Sequence, residues 1–366
     1  MQTQCSAEQL QFSCVDSRQV VAAFDGGEVT SDAGALLLKR TDEAIGLLDR
    51  LAGCFVDRRS QRDVEHSVRT LVAQRVLGIA AGYEDLNDHD ALRADPLWVA
   101  VIGKLETKRE RCKALAGKST LNRLELSRTE PTRYHKIAHD AEAIEGLFVD
   151  LFLEAHRRAP REIVLDLDAT DDPLHGTQED RFFHGYYDGY CYLPLYIFCG
   201  RHLLVAKLRR SNIDGSAGAV EEVERVVRQI RQRWRKVRIV LRADSGFARD
   251  ALMSWCEDND VDYVFGLARN TRLQRCLGKS MREAKQLAQL TGKAARVYRD
   301  FTYRTRKSWS RRRRVIGKAE HLGEKENPRY IVTSLNAKEW PAKKLYEKRY
   351  CARGEMENRI KEAQLE

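Results

Sequence analysis

The chain has 366 residues, 43% hydrophobic and 32% charged, a balance that excludes a disordered or fibrous protein and predicts two or three folded domains. No apolar run reaches the ~18 residues that a membrane-spanning helix needs, so we expect no membrane partner. The formal net charge of +10 favours a polyanionic partner, with nucleic acid the first choice.

Residues 1–160 are predicted to form a mostly helical N-terminal domain. A strand is expected over 19–30, because an apolar run there leads into the turn-forming pair Gly26-Gly27. A helix capped by Ser31 or Asp32 should follow. Apolar residues at helical spacing then predict further helices up to residue 160.

From residue 161 the pattern alternates between strands and helices, which predicts an α/β domain over 161–366 and an α+β chain overall. In chain order we first expect a strand at 161–172, an antiparallel pair within 182–209 and a helix at 211–234 capped near Asp214 or Ser216. A strand at 236–247, a helix at 249–260 and a strand at 261–268 should follow. The chain should then form a β-rich insertion at about 270–340, which includes a helix near 280–290, and one charged helix over 346–366.

A basic segment, RTRKSWSRRRR, occupies residues 304–314. It mixes cations with an aromatic side chain, a combination suited to neutralising phosphates and stacking on bases or sugars. The candidate nucleic-acid contacts in this segment are Arg304, Arg306, Lys307, Trp309, Arg311, Arg312, Arg313 and Arg314.

Other catalytic motifs are weak. AGKST at 116–120 lacks the first glycine of a phosphate loop, and HKIAH at 135–139 lacks the glutamate of a zinc protease, leaving two ordinary helix histidines. DSGF at 244–247 has no nucleophile elbow around its serine. The nine cysteines are scattered and form no C-x-x-C pair, which predicts free thiols in a reducing cytoplasm.

Acids at strand ends are the strongest chemical signal. Asp166 and Asp168 are two positions apart in one apolar strand and therefore face the same side. Asp244 ends a second such strand. Two strand-end acids with a third carboxylate from a helix could hold Mg²⁺ for phosphoryl transfer. The alternative is that Asp168 and Asp244 only stabilise the turns that follow, Asp244 as a helix N-cap.

Three blocks resemble bacterial insertion-sequence transposases of the Asp-Asp-Glu type. They are LDLDATDDPLHGTQEDRFFHGYYDGYCYLPLYIFCGRHLL at 165–204, LRADSGF at 241–247 and YCARGEMEN at 350–358. FDGGEVTSDAGALLL at 24–38 is typical of the insertion-sequence-1380 group. The resemblance covers nearly the whole chain, and the three acids that match the motif are 76 and 113 residues apart.

The resemblance implies a catalytic set of Asp168, Asp244 and Glu357, with Asp166 as the rival of Asp168. It implies two Mg²⁺ ions, for which Mn²⁺ can substitute, held by these acids. Tyr350 and Arg353, on the same face of one helix as Glu357, would contact DNA phosphates. The lysine that the family has seven residues after the glutamate is Gln364 here, and Lys361 is the candidate replacement.

The implied fold is a ribonuclease-H-like mixed sheet with a β-rich insertion, and the N-terminal domain would bind transposon ends or support assembly. The implied activity is cleavage of double-stranded DNA at transposon ends and joining of the 3′-hydroxyl to target DNA, by a homo-oligomer in the bacterial nucleoid. Because few residues follow Glu357, the chain resembles a truncated copy. A binding-only remnant and a nuclease without strand transfer are the alternatives.

Overall fold

The computed structural model of the chain describes residues 10–15, 18–22, 30–322 and 325–364. It divides into two compact units, residues 1–144 and residues 145–366. None of the helices in these described ranges is long and apolar enough to cross a membrane.

The first unit is built mainly from helices around one apolar core. Its helices are α1 (Ala35–Ile45), α2 (Leu47–Gly53), α3 (Val68–Ala80), α4 (His89–Leu92), α5 (Pro96–Ile102), α6 (Lys118–Glu125) and the start of α7 (Ala141–Glu154). Its strands pair in twos and are β1 (Leu10–Val15) with β2 (Arg18–Ala22), and β3 (Phe55–Asp57) with β4 (Ile137–His139). The side chains of Leu71, Trp98 and Leu121, each at most 1% exposed, lie at the centre of the core.

Three expectations for this unit need correction or limitation. Helix α1 begins at Ala35 after Gly34, without a side-chain cap, because Asp32 accepts hydrogen bonds from Tyr83 and Trp98 instead. HKIAH does not lie on a helix, since residues 137–139 form strand β4. The start of the predicted 19–30 strand coincides with β2, whereas its Gly26-Gly27 turn lies outside the described residues.

The second unit carries the remaining elements. Its strands are β5 (Glu162–Ala169), β6 (Asp172–Pro173), β7 (Phe182–His184), β8 (Gly189–Tyr192), β9 (Leu195–Cys199), β10 (His202–Lys207), β11 (Arg238–Ala243), β12 (Val261–Leu267), β13 (Ala295–Tyr303), β14 (Arg313–Leu322), β15 (Lys325–Glu326) and β16 (Arg329–Thr333). Its helices, after the end of α7, are α8 (Ala219–Arg233), α9 (Asp250–Asp258), α10 (Thr271–Thr291), α11 (Ala342–Lys344) and α12 (Gly354–Gln364).

A single mixed sheet organises this unit, in the strand order β10-β9-β5-β11-β12-β16-β14-β13, with β15 paired to β14. Strands β5, β11 and β12 are parallel neighbours, and every other pairing in the sheet is antiparallel. The mixed α/β architecture predicted from the sequence is therefore confirmed. The insertion strands extend the same sheet beyond β12, and β6, β8 and β7 form a small separate sheet.

Helices α8, α9 and α10 cover the sheet with apolar stripes. On α8 the apolar stripe is fully buried at Val223, Val226 and Ile230. This helix begins later than expected, after Gly218, and Asp214 stabilises the preceding turn by accepting from Ser216. Helix α10 begins at Thr271, well before the predicted 280–290 segment, because Asn270 caps it.

The C-terminal segment is not the single regular helix that the sequence predicted. A π-helical stretch, Leu345–Tyr350, and a 3₁₀ turn, Cys351–Arg353, precede α12. The segment also has an apolar face, since Met356 and Ile360 of α12 are buried against Tyr196 and Phe198 of β9. This packing holds α12 beside the end of β5.

Candidate active site

Two aspartates end neighbouring parallel strands of the central sheet. The register pairs Leu167 of β5 with Ala243 of β11, so the next residues, Asp168 and Asp244, lie side by side at the carboxyl edge. Asp244 Oδ1 accepts from the backbone of Gly246 at 2.8 Å. Asp244 thus caps the short helical turn that follows, as the alternative hypothesis expected. The cap uses one carboxylate oxygen, which leaves Oδ2 for other chemistry.

Asp166, the rival of Asp168, has a different environment. Its side chain is 6% exposed and forms a two-point ion pair with Arg242 of β11, at 2.5 and 2.7 Å. Arg242 also donates to the backbone carbonyl of Arg349 at 2.7 Å. Buried carboxylates matched in this way to a guanidinium hold neighbouring strands together. Asp168 has no two-point pair of this kind, since its Oδ1 accepts from the backbone of Ala169 and only its Oδ2 pairs with an arginine, so we favour Asp168 over Asp166 as the acid that can exchange a partner for a metal ion.

Arg353 brings the C-terminal acid to the strand ends. Its guanidinium is 3.1 Å from Asp168 Oδ2 and 2.9 Å from Glu357 Oε1, and it bridges the two carboxylates. Asp168 and Glu357 line one cavity of about 260 Å³, together with Asp171 and Lys361. Within the described residues, Lys361 makes no ion pair, so its charge remains available in this cavity.

The electrostatics of Asp168 are those of a crowded acidic site. Burial raises the pKa of Asp168, the Arg353 guanidinium opposes this rise, and the carboxylates of Asp244 and Glu357 add to it. A strand-end carboxyl with a raised pKa and specific charge partners is typical of functional sites. The excess of negative charge is what a bound cation would relieve.

The three acids match Mg²⁺ in their chemistry, because hard carboxylate oxygens are its preferred protein ligands. Among the described residues, however, no group of three potential ligands converges closely enough to hold one ion. Arg353 lies between Asp168 and Glu357 in this arrangement. Gathering the acids around metal would therefore require Arg353 to leave at least one of them.

Tyr350 lies against the strand beside Asp244 and not on an exposed helix face. A Cβ at Gly266 of β12 would lie 2.6 Å from Tyr350 Oη and 2.9 Å from the backbone nitrogen of Ser245. Only glycine therefore allows this close approach. A tyrosine hydroxyl is protonated at neutral pH, and burial raises the pKa of Tyr350 further in the same direction.

Replacing Gly266 with alanine should destabilise the second unit by about 1–3 kcal/mol, because the added methyl group has no space in this packed region. Urea unfolding of purified protein measures the change. Gly278→Ala is the matched control, since Gly278 lies in α10 with nothing within 4 Å of its Cβ position and should gain up to about 1 kcal/mol. A Gly266 variant that is as stable as this control contradicts the close approach.

The basic 304–314 segment divides into buried and exposed residues. Arg313 has a side chain 2% exposed and pairs with Asp250 and Glu257. Arg314 pairs with Asp300 and donates to two backbone carbonyls. Trp309 is 4% exposed. These three residues stabilise the insertion. The burial of Arg313 and Trp309 and the pairing of Arg314 argue against the nucleic-acid contacts expected from the sequence.

The other cations of the segment remain accessible. Arg304, Arg306, Lys307 and Arg312 are exposed. Arg311 is half-exposed, but it pairs with Glu257 and Asp258.

Sequence inspection missed two residues of the site. Arg242 could have been found from symmetry, because it precedes Asp244 by two residues as Asp166 precedes Asp168, and parallel strands in register bring the two opposite each other. Gly266 carries no signal of this kind, since its role depends on Tyr350, 84 residues away in the chain.

Comparison with known protein families gives one match that covers nearly the whole chain. The family model described as transposase DDE domain group 1 matches residues 12–366. A comparison with curated proteins finds no match.

Proposed function

The chain belongs to the transposase DDE domain family, and on this premise we propose that it is a DNA transposase that cleaves transposon ends and joins the freed 3′-hydroxyl to target DNA. The observation that carries the proposal is the position of Asp168 and Asp244 at adjacent parallel strand ends, with Glu357 linked to Asp168 through Arg353. The sheet of the second unit, three antiparallel strands followed by parallel ones, supports a ribonuclease-H-like catalytic domain.

We assign the metal ligands to Asp168, Asp244 and Glu357. Two Mg²⁺ ions, or Mn²⁺, supply Lewis-acid activation of the attacking oxygen and charge stabilisation of the leaving oxygen when bound. The two-point ion pair of Asp166 with Arg242 supports leaving Asp166 out of this set.

The protein's own cations position the DNA. Arg353, which bridges Asp168 and Glu357, would exchange one carboxylate for a phosphate oxygen, which a guanidinium group also binds with paired hydrogen bonds. Lys361 in the same cavity would contact a neighbouring phosphate. Tyr350, packed beside Asp244, would orient the end of the DNA strand and donate a hydrogen bond to it from its protonated hydroxyl. No covalent enzyme intermediate is required, because in-line displacement at phosphorus needs only positioned oxygens and neutralised charge.

The first unit is a candidate for recognition of DNA ends. It contains a cavity of about 750 Å³ whose rim includes Arg123, Arg133 and Lys136. In the described part of the chain these three cations form no ion pair, and Tyr134 beside them is 80% exposed. Unpaired cations next to an exposed aromatic ring suit a nucleic-acid surface. Action at paired ends would require a homo-oligomer.

A cleavage and joining assay on end-containing duplex DNA with Mg²⁺ tests the proposal. Wild-type protein should yield cleaved and joined products. Asp244→Asn should yield neither while still binding DNA, since asparagine keeps the cap to Gly246 but loses the charge.

Two other outcomes distinguish the alternatives. Cleavage without joining identifies a nuclease. DNA binding without any product in Mg²⁺ or Mn²⁺ identifies a protein that only occupies ends.

A further inference from the structure

A second concave basic site lies in the insertion, away from the three acids. Its cavity of about 350 Å³ is lined by Arg272 and Arg275 of α10, Thr302 and Tyr303 of β13, and Arg304 and Arg312 of the loop before β14, with Cys276 beside them. We call this site the arginine pocket. Four guanidinium groups line it, and none of its lining residues is an acid.

The pocket arginines are held by neutral partners or by none. Arg272 donates to the backbone carbonyl of Arg304 at 3.3 Å and lies over the Tyr303 ring at 5.3 Å. Arg304 donates to the carbonyl of Trp309 at 3.1 Å. For Arg275 and Arg312, the described residues provide no hydrogen bond or ion pair. This differs from Arg311, Arg313 and Arg314, whose charges are neutralised by acids.

Unneutralised like charges in one concavity repel each other, and an anion removes this repulsion. Guanidinium groups bind phosphate with paired hydrogen bonds, so several of them around one cavity suit a phosphate group in particular. The first turn of α10, a helix of 21 residues, lies at the pocket and adds the partial positive charge of its N-terminus.

The shape of the pocket also indicates what it does not bind. Its aromatic residue, Tyr303, is 6% exposed and packs edge-on against Trp309, itself 4% exposed. Neither ring presents a face on which a base could stack. The available contacts are therefore charges suited to a backbone, which carry no sequence information.

We propose that the arginine pocket binds a backbone phosphodiester of duplex DNA and thereby positions the duplex at a point separate from the carboxylate site. This inference rests on the proposed function, because it takes DNA as the substrate. It reassigns the basic segment, since Arg304 and Arg312 contact DNA together with Arg272 and Arg275 of α10, while Arg311, Arg313 and Arg314 stabilise the fold.

The test is the salt dependence of duplex binding by the double variant Arg275→Gln/Arg312→Gln. Losing the contact with the one phosphate in the pocket should lower the slope of log K against log salt by about 0.9 and weaken binding at least tenfold at low salt, for any DNA sequence. The matched control is Arg228→Gln/Arg311→Gln, which removes the same charge from two exposed arginines that are paired with acids. Its slope should change by much less.

Equal slopes for the two double variants overturn the proposal. It is also overturned if calorimetry shows that the pocket variant loses binding of inorganic phosphate but keeps wild-type DNA binding, because the site then serves a free anion. Its failure is distinguishable from failure of the proposed function. If the wild-type protein forms no products but the pocket variant loses DNA binding, only the pocket is supported. If the pocket variant forms normal products and binds DNA as the wild type does, only the transposase function is supported.

Discussion

Asp168→Asn should reduce DNA cleavage at least a thousandfold, about 4 kcal/mol of transition-state stabilisation, without weakening DNA binding. The substitution keeps the shape of the side chain and removes one charge from the set formed with Asp244 and Glu357. Single-turnover cleavage with excess protein separates this loss from any change in affinity.

The same variant should be at least as stable as the wild type. Burial and the neighbouring carboxylates raise the pKa of Asp168 in the folded protein, although Arg353 opposes them. An acid whose pKa is raised by folding destabilises the folded state once it is ionised. At neutral pH the uncharged amide of asparagine should therefore remove this destabilisation. Thermal unfolding at pH 7 measures this. A clear loss of stability, or cleavage near the wild-type rate, would assign Asp168 a structural role.

Asp166→Asn should lower the free energy of unfolding by about 3–5 kcal/mol, although burial raises the pKa of Asp166 as it does that of Asp168, because the loss of its partner leaves a buried guanidinium unpaired. The substitution leaves the Arg242 guanidinium, 8% exposed, without a countercharge between β5 and β11. Denaturant unfolding of the purified variant gives the value. Such a loss would reduce the amount of folded protein. It would thereby distinguish the structural role of Asp166 from the catalytic role of Asp168, although both side chains lie on one face of one strand.

The double variant Asp166→Leu/Arg242→Met is the control for this interpretation. Removing both charges avoids an unpaired buried ion, so most of the lost stability should return. If Asp166→Asn alone is as stable as the wild type, the ion pair contributes little, and the preference for Asp168 then depends on the cleavage assay only.

The sequence predicted the strand ends well because their apolar runs and terminal acids are local signals. The edges of β5 and β11, and the buried stripe of α8, follow from side-chain periodicity within a few residues. The same locality explains why Asp168 and Asp244 could be proposed as neighbours, since acids at the ends of parallel strands meet at one edge of a sheet.

What the sequence could not provide depends on partners far along the chain. Four consecutive arginines suggested one DNA-binding surface. Arg313 instead forms ion pairs with Asp250 and Glu257, and Arg314 forms one with Asp300. A charged run with no proline and one glycine predicted one C-terminal helix, and packing against the sheet instead produced a π-helical stretch at Leu345–Tyr350. In both cases tertiary contacts overrode the local pattern.

The pairing of β5 with β11 also has a consequence for how the protein is made. The register pairs Glu162 of β5 with Arg238 of β11. At synthesis rates of about 5–20 residues per second, β11 therefore leaves the ribosome roughly 4–15 s after β5. During this interval the apolar side chains of Leu165 and Leu167 have only the β9–β10 hairpin as a sheet partner. Long-range parallel pairing is slow and leaves unpaired strands open to aggregation. We therefore expect the yield of folded protein to depend on the temperature and speed of expression more than on its final stability.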